Sequence, residues 1–308
     1  MNRSRYFLAY GLLMGCTLVF GYRSSAFATH LEAQMYAIDN FQASGVCQGA
    51  DRCWTNMIDD WYNEMDDHGF YTRDRRLVDD SLSPAFFCDP DSGANCFDHL
   101  WIDEGEAAFI ATHGFDSGGH WRGLMRFQGP TNDANCSIDA PEAGSGELFL
   151  GDNDLEFLHL SSCNSMDDDN LGNTWRLFQD PVDSPQNGKR LHQANGFHGV
   201  MFIFCNWGFR YEDFAADAFA VSIKDAWMSN MYVASVSVDT DGDNVNETYE
   251  QCPVAYAVAP TFNECLSRIQ NERYNLIMSD PASIGAVCAY FVNGCDPFGD
   301  APFSLENP

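Results

Sequence analysis

Ala107-Ala108-Phe109-Ile110-Ala111-Thr112-His113-Gly114 and Leu155-Glu156-Phe157-Leu158-His159-Leu160-Ser161-Ser162-Cys163-Asn164 are the two stretches whose reading decides the fold. Each is a short apolar run closed by polar and turn-forming residues. That pattern fits a strand buried on both faces of a parallel sheet. In an open parallel sheet, ligands and chemistry gather beyond the carboxyl ends of the strands. One run delivers an imidazole and a glycine to that edge, and the other delivers a thiol.

Working outward, Met35–Phe41 reads as an earlier strand. Residues 51–67 carry Trp54, Met57, Ile58, Trp61, Tyr62 and Met65 at helical spacing, with Gly69 just beyond. Residues 114–154 are rich in Gly, Asn and Asp and read as loop with a short hairpin. A short helix is expected near Lys189–Ala194, then a third buried strand over Gly199–Cys205. One long helix is expected over Glu212–Ser229, with Phe214, Ala218, Val221 and Ala226 turned inward. Strands alternating with helices predict an α/β fold whose mainly parallel sheet is covered on both faces. From Tyr232 two strand-like runs flank an acidic loop, and a cysteine-pinned extension follows.

The ends of the chain place it in a cell. Arg3 and Arg5, the apolar run Tyr6–Gly21 and the small-x-small site Ala26-Phe27-Ala28 read as a signal peptide over residues 1–28. The run is too short for a spanning helix, so the expectation is a secreted, periplasmic or extracellular protein without a membrane span. Residues 29–308 then form a single domain: a core at about 102–229, the acidic loop at 239–250 and an extension over 251–308. The formal charge of −29 becomes three units more negative once Arg3, Arg5 and Arg23 leave. Such a surface repels nucleic acid. Solubility in a salty medium is one reading of that charge, and a preference for substrates with basic side chains is the other.

Twelve cysteines, eleven of them beyond the leader, predict disulfides in an exported chain. Nearness in sequence suggests Cys47–Cys53, Cys88–Cys96, Cys252–Cys265 and Cys288–Cys295. Cys136, Cys163 and Cys205 remain, and an odd total leaves at least one thiol unpaired or bridged to another chain. Cys163 is the candidate nucleophile, with Cys163–Cys136 as the rival disulfide and Cys205 as the rival free thiol. His113 is the candidate general acid/base, expected to hold Cys163 partly as thiolate. Gly114 offers a backbone N–H to a developing oxyanion beside that of Cys163. His198-Gly199 is a second His-Gly pair, but the expected strand order puts it before its strand and gives it a structural role.

These residues resemble the caspase-like cysteine peptidases, which include legumain, gingipains and clostripain. In that group an apolar strand ends in His-Gly and a later one ends in a small residue and Cys. Here His113 and Cys163 are 50 residues apart, the caspase spacing. The caspase Gln-Ala-Cys-x-Gly signature is replaced by Ser161-Ser162-Cys163-Asn164-Ser165. The chain is also similar to an uncharacterised family of secreted proteins through Leu155–Leu158, Ser162-Cys163, Trp175, Phe197-His198-Gly199 and Ala226-Trp227. The resemblance implies a caspase-like fold and a Cys-His dyad working by acyl-enzyme chemistry on a peptide or protein substrate, as peptidase, transpeptidase or ligase. A non-catalytic, calcium-binding, disulfide-stapled binding protein is the alternative.

The acidic loop has its own reading. Asp239, Asp241, Asp243, Glu247 and Glu250 stand at positions 1, 3, 5, 9 and 12 of a calcium loop, with the Val245 carbonyl at 7. Asn244 replaces the usual glycine at 6. A structural calcium ion is the expected cofactor.

Overall fold

The computed structural model describes residues 30–90, 95–128, 136–140, 148–151, 153–171, 191–239 and 245–304. In chain order the regular elements are β1 (Leu31–Ala37), α1 (Thr55–Asp67), β2 (Tyr71–Val78), β3 (Ala107–Ala111), β4 (Gly114–Asp116), β5 (Trp121–Leu124), β6 (Ser137–Asp139), β7 (Phe157–Ser161) and β8 (Gln193–His198). They continue with α2 (Gly208–Ala220), α3 (Ile223–Met231), β9 (Val233–Val238), β10 (Glu247–Ala259), α4 (Phe262–Asn271) and β11 (Ala286–Phe291). The fold is α/β, with a mixed and mostly parallel sheet flanked by helices. The main sheet runs β11-β10-β8-β7-β3-β1-β2, and β9 pairs with β10 off that path. From β2 to β8 every pairing is parallel, whereas β10 is antiparallel to β8, β9 and β11. A small antiparallel sheet of β4, β5 and β6 stands apart.

The two deciding runs are neighbouring central strands, each within a residue or two of its expected bounds. All five residues of β3 and of β7 are buried. The second half of the expected first strand, Ile38–Phe41, is irregular, and β1 begins earlier, at Leu31. The edge strand β2 carries Arg73, Asp74, Arg75 and Arg76 on largely exposed positions. Charge on an edge strand discourages pairing with another chain, and it also hid this strand in the sequence.

Alternation sends Phe109 and His159 to one face of the sheet, where all four described helices pack. Trp61 of α1, Phe214 of α2 and Trp227 of α3 surround the His159 ring at centroid distances of 5.9, 5.0 and 5.9 Å. The Cys265 side chain of α4 reaches the Ala257 carbonyl on the same face. On the opposite face Tyr36 meets Phe87, which follows the short 3-10 helix Pro84–Phe86.

Two further expectations fail for identifiable reasons. Of the short helix expected near Lys189–Ala194, residues 189–190 lie outside the described residues, and over the rest and the expected strand Gly199–Cys205 the regular element is instead β8, which is buried throughout. Its polar composition disguised it, because Gln193, Asn195 and His198 each find a distant side-chain partner. Gln193 donates to Glu272 and Asn195 reaches His159 Nδ1, while His198 reaches Asp167. The expected long helix breaks at Val221, whose ψ of 179° is extended and whose side chain is exposed rather than inward. Ser222 then restarts α3, its Oγ accepting from Asp225 N at 3.2 Å, the usual N-cap arrangement.

His159 is fully buried and bonded through Nε2 to Tyr274 Oη at 2.7 Å. Burial alone pulls its imidazole down to about 3. For a base with a depressed folded pKa, the unfolded chain binds the extra proton between that value and the unfolded one near 6.5. Stability is thus fully present above about pH 6.5 and declines as pH falls toward 3, by roughly 1.4 kcal/mol per unit at most. Acidification from pH 7 to 4 is expected to lower the melting temperature of the native chain more than that of His159→Gln. Parallel pH profiles for the two would remove this assignment.

Candidate functional site at the carboxyl edge

The register brings the expected dyad to one place. Ala111 of β3 pairs with Ser161 of β7, and His113 and Cys163 each lie two residues beyond that pair. Thr112 N–H still donates to the Ser161 carbonyl at 3.3 Å, so the pairing extends to the threshold of the site. Adjacent strands lie about 4.8 Å apart, which makes the two residues neighbours at the open edge.

His113 is held from the β1–α1 connection. Its ring lies against Phe41 at 5.2 Å and edge-on to Trp54 at 4.8 Å, and Nε2 is 2.7 Å from the Ala50 carbonyl. A carbonyl only accepts, so Nε2 carries the proton and the Nδ1 lone pair is left for chemistry. Burial pulls the imidazole below its ordinary value. The Ala50 carbonyl opposes this, and the Arg52 charge adds to the lowering.

Cys163 is the free cysteine among the described residues and is partly exposed. Its sulfur accepts from Met201 N–H at 3.4 Å. Burial pushes the thiol up, countered by the N–H groups of Met201, Cys163 itself and Gly114 and by the Arg52 charge. The expected depressed thiol pKa is therefore corrected. Desolvation outweighs the local dipoles and favours the neutral thiol, as it favours the neutral imidazole at His113. A Cβ on Gly114 would lie 2.1 Å from Ser162 Oγ and 2.3 Å from the Cys163 carbonyl, so no larger residue fits there. Trp121 Nε1 steadies the same corner by donating to Ser162 Oγ at 3.1 Å. Past the sulfur, Asn164 adopts φ +52° and donates its N–H to the Gly199 carbonyl at 2.8 Å. Asn tolerates this left-handed turn better than most residues.

The second His-Gly pair was placed on the wrong edge. His198 ends β8, which is parallel to β7, so His198 and Gly199 emerge at the same edge as Cys163. The ring is fully buried, with Nδ1 2.8 Å from Asp167 and Nε2 2.6 Å from the Ala301 carbonyl. Burial works against its protonated form, but Asp167, the Ala301 carbonyl and Asp168 together raise the pKa above the ordinary value. Asp167, Asp168, His198 and Asp300 bring one ligand atom each within 4.8 Å of one another, a set that could hold a cation.

Five disulfides are present among the described residues, and their pairing overturns most of the nearest-neighbour guesses. Cys88–Cys96 is as expected, but the others are Cys47–Cys136, Cys53–Cys205, Cys252–Cys295 and Cys265–Cys288. Cys205 is thus no free thiol, and Cys136 does not bridge to Cys163. Cys53–Cys205 joins the connection that holds His113 to the loop that follows β8, whose Met201 touches the sulfur.

Of the acidic loop, Asp241 and Asp243 lie outside the described residues. β9 and β10 form a hairpin in which Glu247 pairs with Val238, placing Asp239, Val245 and Glu247 near its mouth. Glu250 lies three residues further along β10. One of its carboxylate oxygens accepts from the Tyr232 hydroxyl and the other from Asp296 N at 2.7 Å.

Ala50, Arg52 and Met201 were missed as parts of the site. Two of them act through backbone atoms, which no side-chain pattern announces. Trp54 was legible only as part of an apolar helix face. The fold and the edge define an α/β protein with a free thiol and an imidazole on adjacent parallel strands. The chain belongs to the family of the domain of unknown function DUF6345, whose model matches residues 54–266, a stretch that includes both His113 and Cys163. No curated protein matches the chain.

Proposed function

We propose that the chain is an exported cysteine hydrolase of the caspase-like kind, a peptidase in which Cys163 is the nucleophile and His113 the general acid/base. The observation that carries this reading is the shared register of the two residues beyond β3 and β7, which puts the imidazole and the thiol at one edge of the sheet. Five disulfides suit an oxidising compartment. No described helix is long and apolar enough to cross a membrane.

In this reading His113 Nδ1 takes the thiol proton as Cys163 Sγ attacks the scissile carbonyl carbon. The Gly114 and Cys163 N–H groups stabilise the oxyanion that forms. Collapse expels the amine, which leaves with the proton from His113, and a thioester remains on Cys163. His113 then takes a proton from water, hydroxide attacks the thioester, and the thiol is restored. An amine in place of that water gives transpeptidation or ligation with the same residues. The test is to incubate the secreted protein with a broad peptide library and quench early. Cleavage products together with an acyl adduct on Cys163 are expected. A library left intact at high enzyme concentration would overturn the reading.

Calcium has a structural part in the same proposal. The ion would be held by Asp239, Asp241, Asp243, the Val245 carbonyl and Glu247. A ligand role for Glu250 would compete with its bonds to Tyr232 and Asp296. Binding to the native state alone stabilises it by mass action, about 2.7 kcal/mol at a hundredfold excess over Kd. Chelator is expected to lower the melting temperature of the native chain but not of Asp241→Ala/Asp243→Ala. Superimposable native curves with and without chelator would remove calcium from the account.

A further inference from the structure

His198 gathers a second set of side chains near the turn that follows Cys163. Its Nε2 is 2.6 Å from the Ala301 carbonyl. A carbonyl only accepts, so Nε2 carries a proton and Nδ1 faces the other way. Three carboxylates stand before Nδ1: Asp167 Oδ1 at 2.8 Å, Asp168 Oδ1 at 3.8 Å and Asp300 Oδ2 at 4.0 Å.

Backbone groups hold the far ends of these side chains. Ser304 N–H donates to Asp168 Oδ2 and Ala301 N–H to Asp300 Oδ1, both at 2.7 Å. Each residue is thereby left with one donor atom turned toward the imidazole. Metal-binding histidines almost always give their second nitrogen to a carbonyl, a carboxylate or water, and the ligating carboxylates are themselves hydrogen-bonded. The imidazole and Asp167 are buried, and the Phe303 ring stands edge-on to the imidazole at 5.2 Å.

Charge decides the kind of ligand. No described lysine or arginine pairs with any of the three carboxylates, whose only ion-pair partner is His198. With all three ionised, even an imidazolium leaves the group two charges negative. Buried charges are paired or coordinate metals. A divalent ion in place of the Nδ1 proton brings the group to a single negative charge. The nitrogen donor favours a transition ion over calcium or magnesium, which take oxygen ligands. Zinc–ligand bonds of about 2.0–2.2 Å hold tetrahedral ligands roughly 3.4 Å apart. Binding therefore draws Asp168 and Asp300 inward, and these are the two with room to move, at 15% and 26% side-chain exposure.

We propose that Asp167, Asp168, His198 and Asp300 form a site for a divalent transition-metal ion such as zinc. The ion would clamp the chain near Asp300 onto the end of β8 and the turn after Cys163. That contact already exists in outline, since Val200 N–H donates to the Phe298 carbonyl at 3.1 Å. The site is separate from the acidic loop, and its test needs no turnover.

The probe is zinc, added to the full secreted, untagged chain carrying Cys163→Ala and Asp241→Ala/Asp243→Ala. These changes remove the free thiol and the acidic loop as competing ligands. After chelator treatment and dialysis, one equivalent of zinc is expected to bind, to raise the melting temperature and to stay bound in a hundredfold excess of calcium. Asp300→Asn and Asp168→Asn, added singly, keep the shape of partly exposed side chains, so the metal-free chains should melt with the parent. Each should weaken zinc by at least 10–100-fold, the cost of losing even a partner that only orients a ligand, and should reduce the melting shift. Failure to bind one equivalent, release of zinc by calcium, or equally tight binding in either variant would overturn the site.

Discussion

Cys163→Ala is expected to reduce turnover by roughly 10⁴-fold or more, to the level left by binding and oxyanion contacts alone, with melting nearly unchanged. The second half follows from the sulfur's surroundings. It is partly exposed and its hydrogen bonds are to the Met201 backbone, so alanine opens no large cavity. His113→Ala should cost about 10²–10⁴-fold, the usual worth of a positioned acid/base. The pH profile carries a sharper signature. Burial pulls His113 below and pushes Cys163 above their ordinary values. The imidazole therefore stays a neutral base to below pH 6.5, and thiolate accumulates only on the alkaline side. Alkylation of Cys163 by iodoacetamide should be slow at pH 7 and climb with pH, whereas kcat/KM should stay level across neutrality and fall below pH 6.5. Full activity in Cys163→Ala would end the proposed mechanism. Rapid alkylation at pH 6 would mean an ion pair at rest and would reverse the pKa argument.

Removal of Cys53–Cys205 by paired alanine substitutions is expected to give the largest loss of stability of any single cross-link. The two cysteines are 152 residues apart, whereas Cys88 and Cys96 are separated by 8. In the chain-entropy account, a bridge closing a loop this long contributes about 5 kcal/mol, and one closing the short loop about half as much. Unfolding of Cys53→Ala/Cys205→Ala should come roughly 5–15 °C earlier, and that of Cys88→Ala/Cys96→Ala distinctly less so. Activity should separate the pair further. Cys53 lies between Arg52, whose charge acts on both dyad residues, and Trp54, which packs edge-on to His113. Loosening that segment should lower kcat/KM in the native range of temperature, which the Cys88–Cys96 variant should leave alone. Equal melting shifts and equal activities for the two variants would show that neither loop length nor proximity to His113 matters.

What the sequence by itself determined is what depends on neighbours along the chain. The apolar runs at 107–112 and 155–160 are continuous because both faces of a central strand are buried, and so β3 and β7 were legible almost to the residue. The period of Trp54, Ile58, Trp61 and Met65 marked α1, and the acidic loop between two strand-like runs is indeed carried by a hairpin. An odd number of cysteines beyond residue 28 announced a thiol either unpaired or bridged to another chain, and among the described residues the free one stands just past β7. The tertiary structure decided everything that depends on partners far away. β8 is a strand because Glu272, His159 and Asp167 satisfy polar groups that look out of place in a buried run. That one assignment carries His198 to the edge where Cys163 lies. Disulfide partners follow closeness in space, which is why Cys53 meets Cys205 rather than Cys47. The direction of the thiol's pKa was settled by packing, since desolvation is a property of the whole enclosure and no pairing of His with Cys in a sequence measures it.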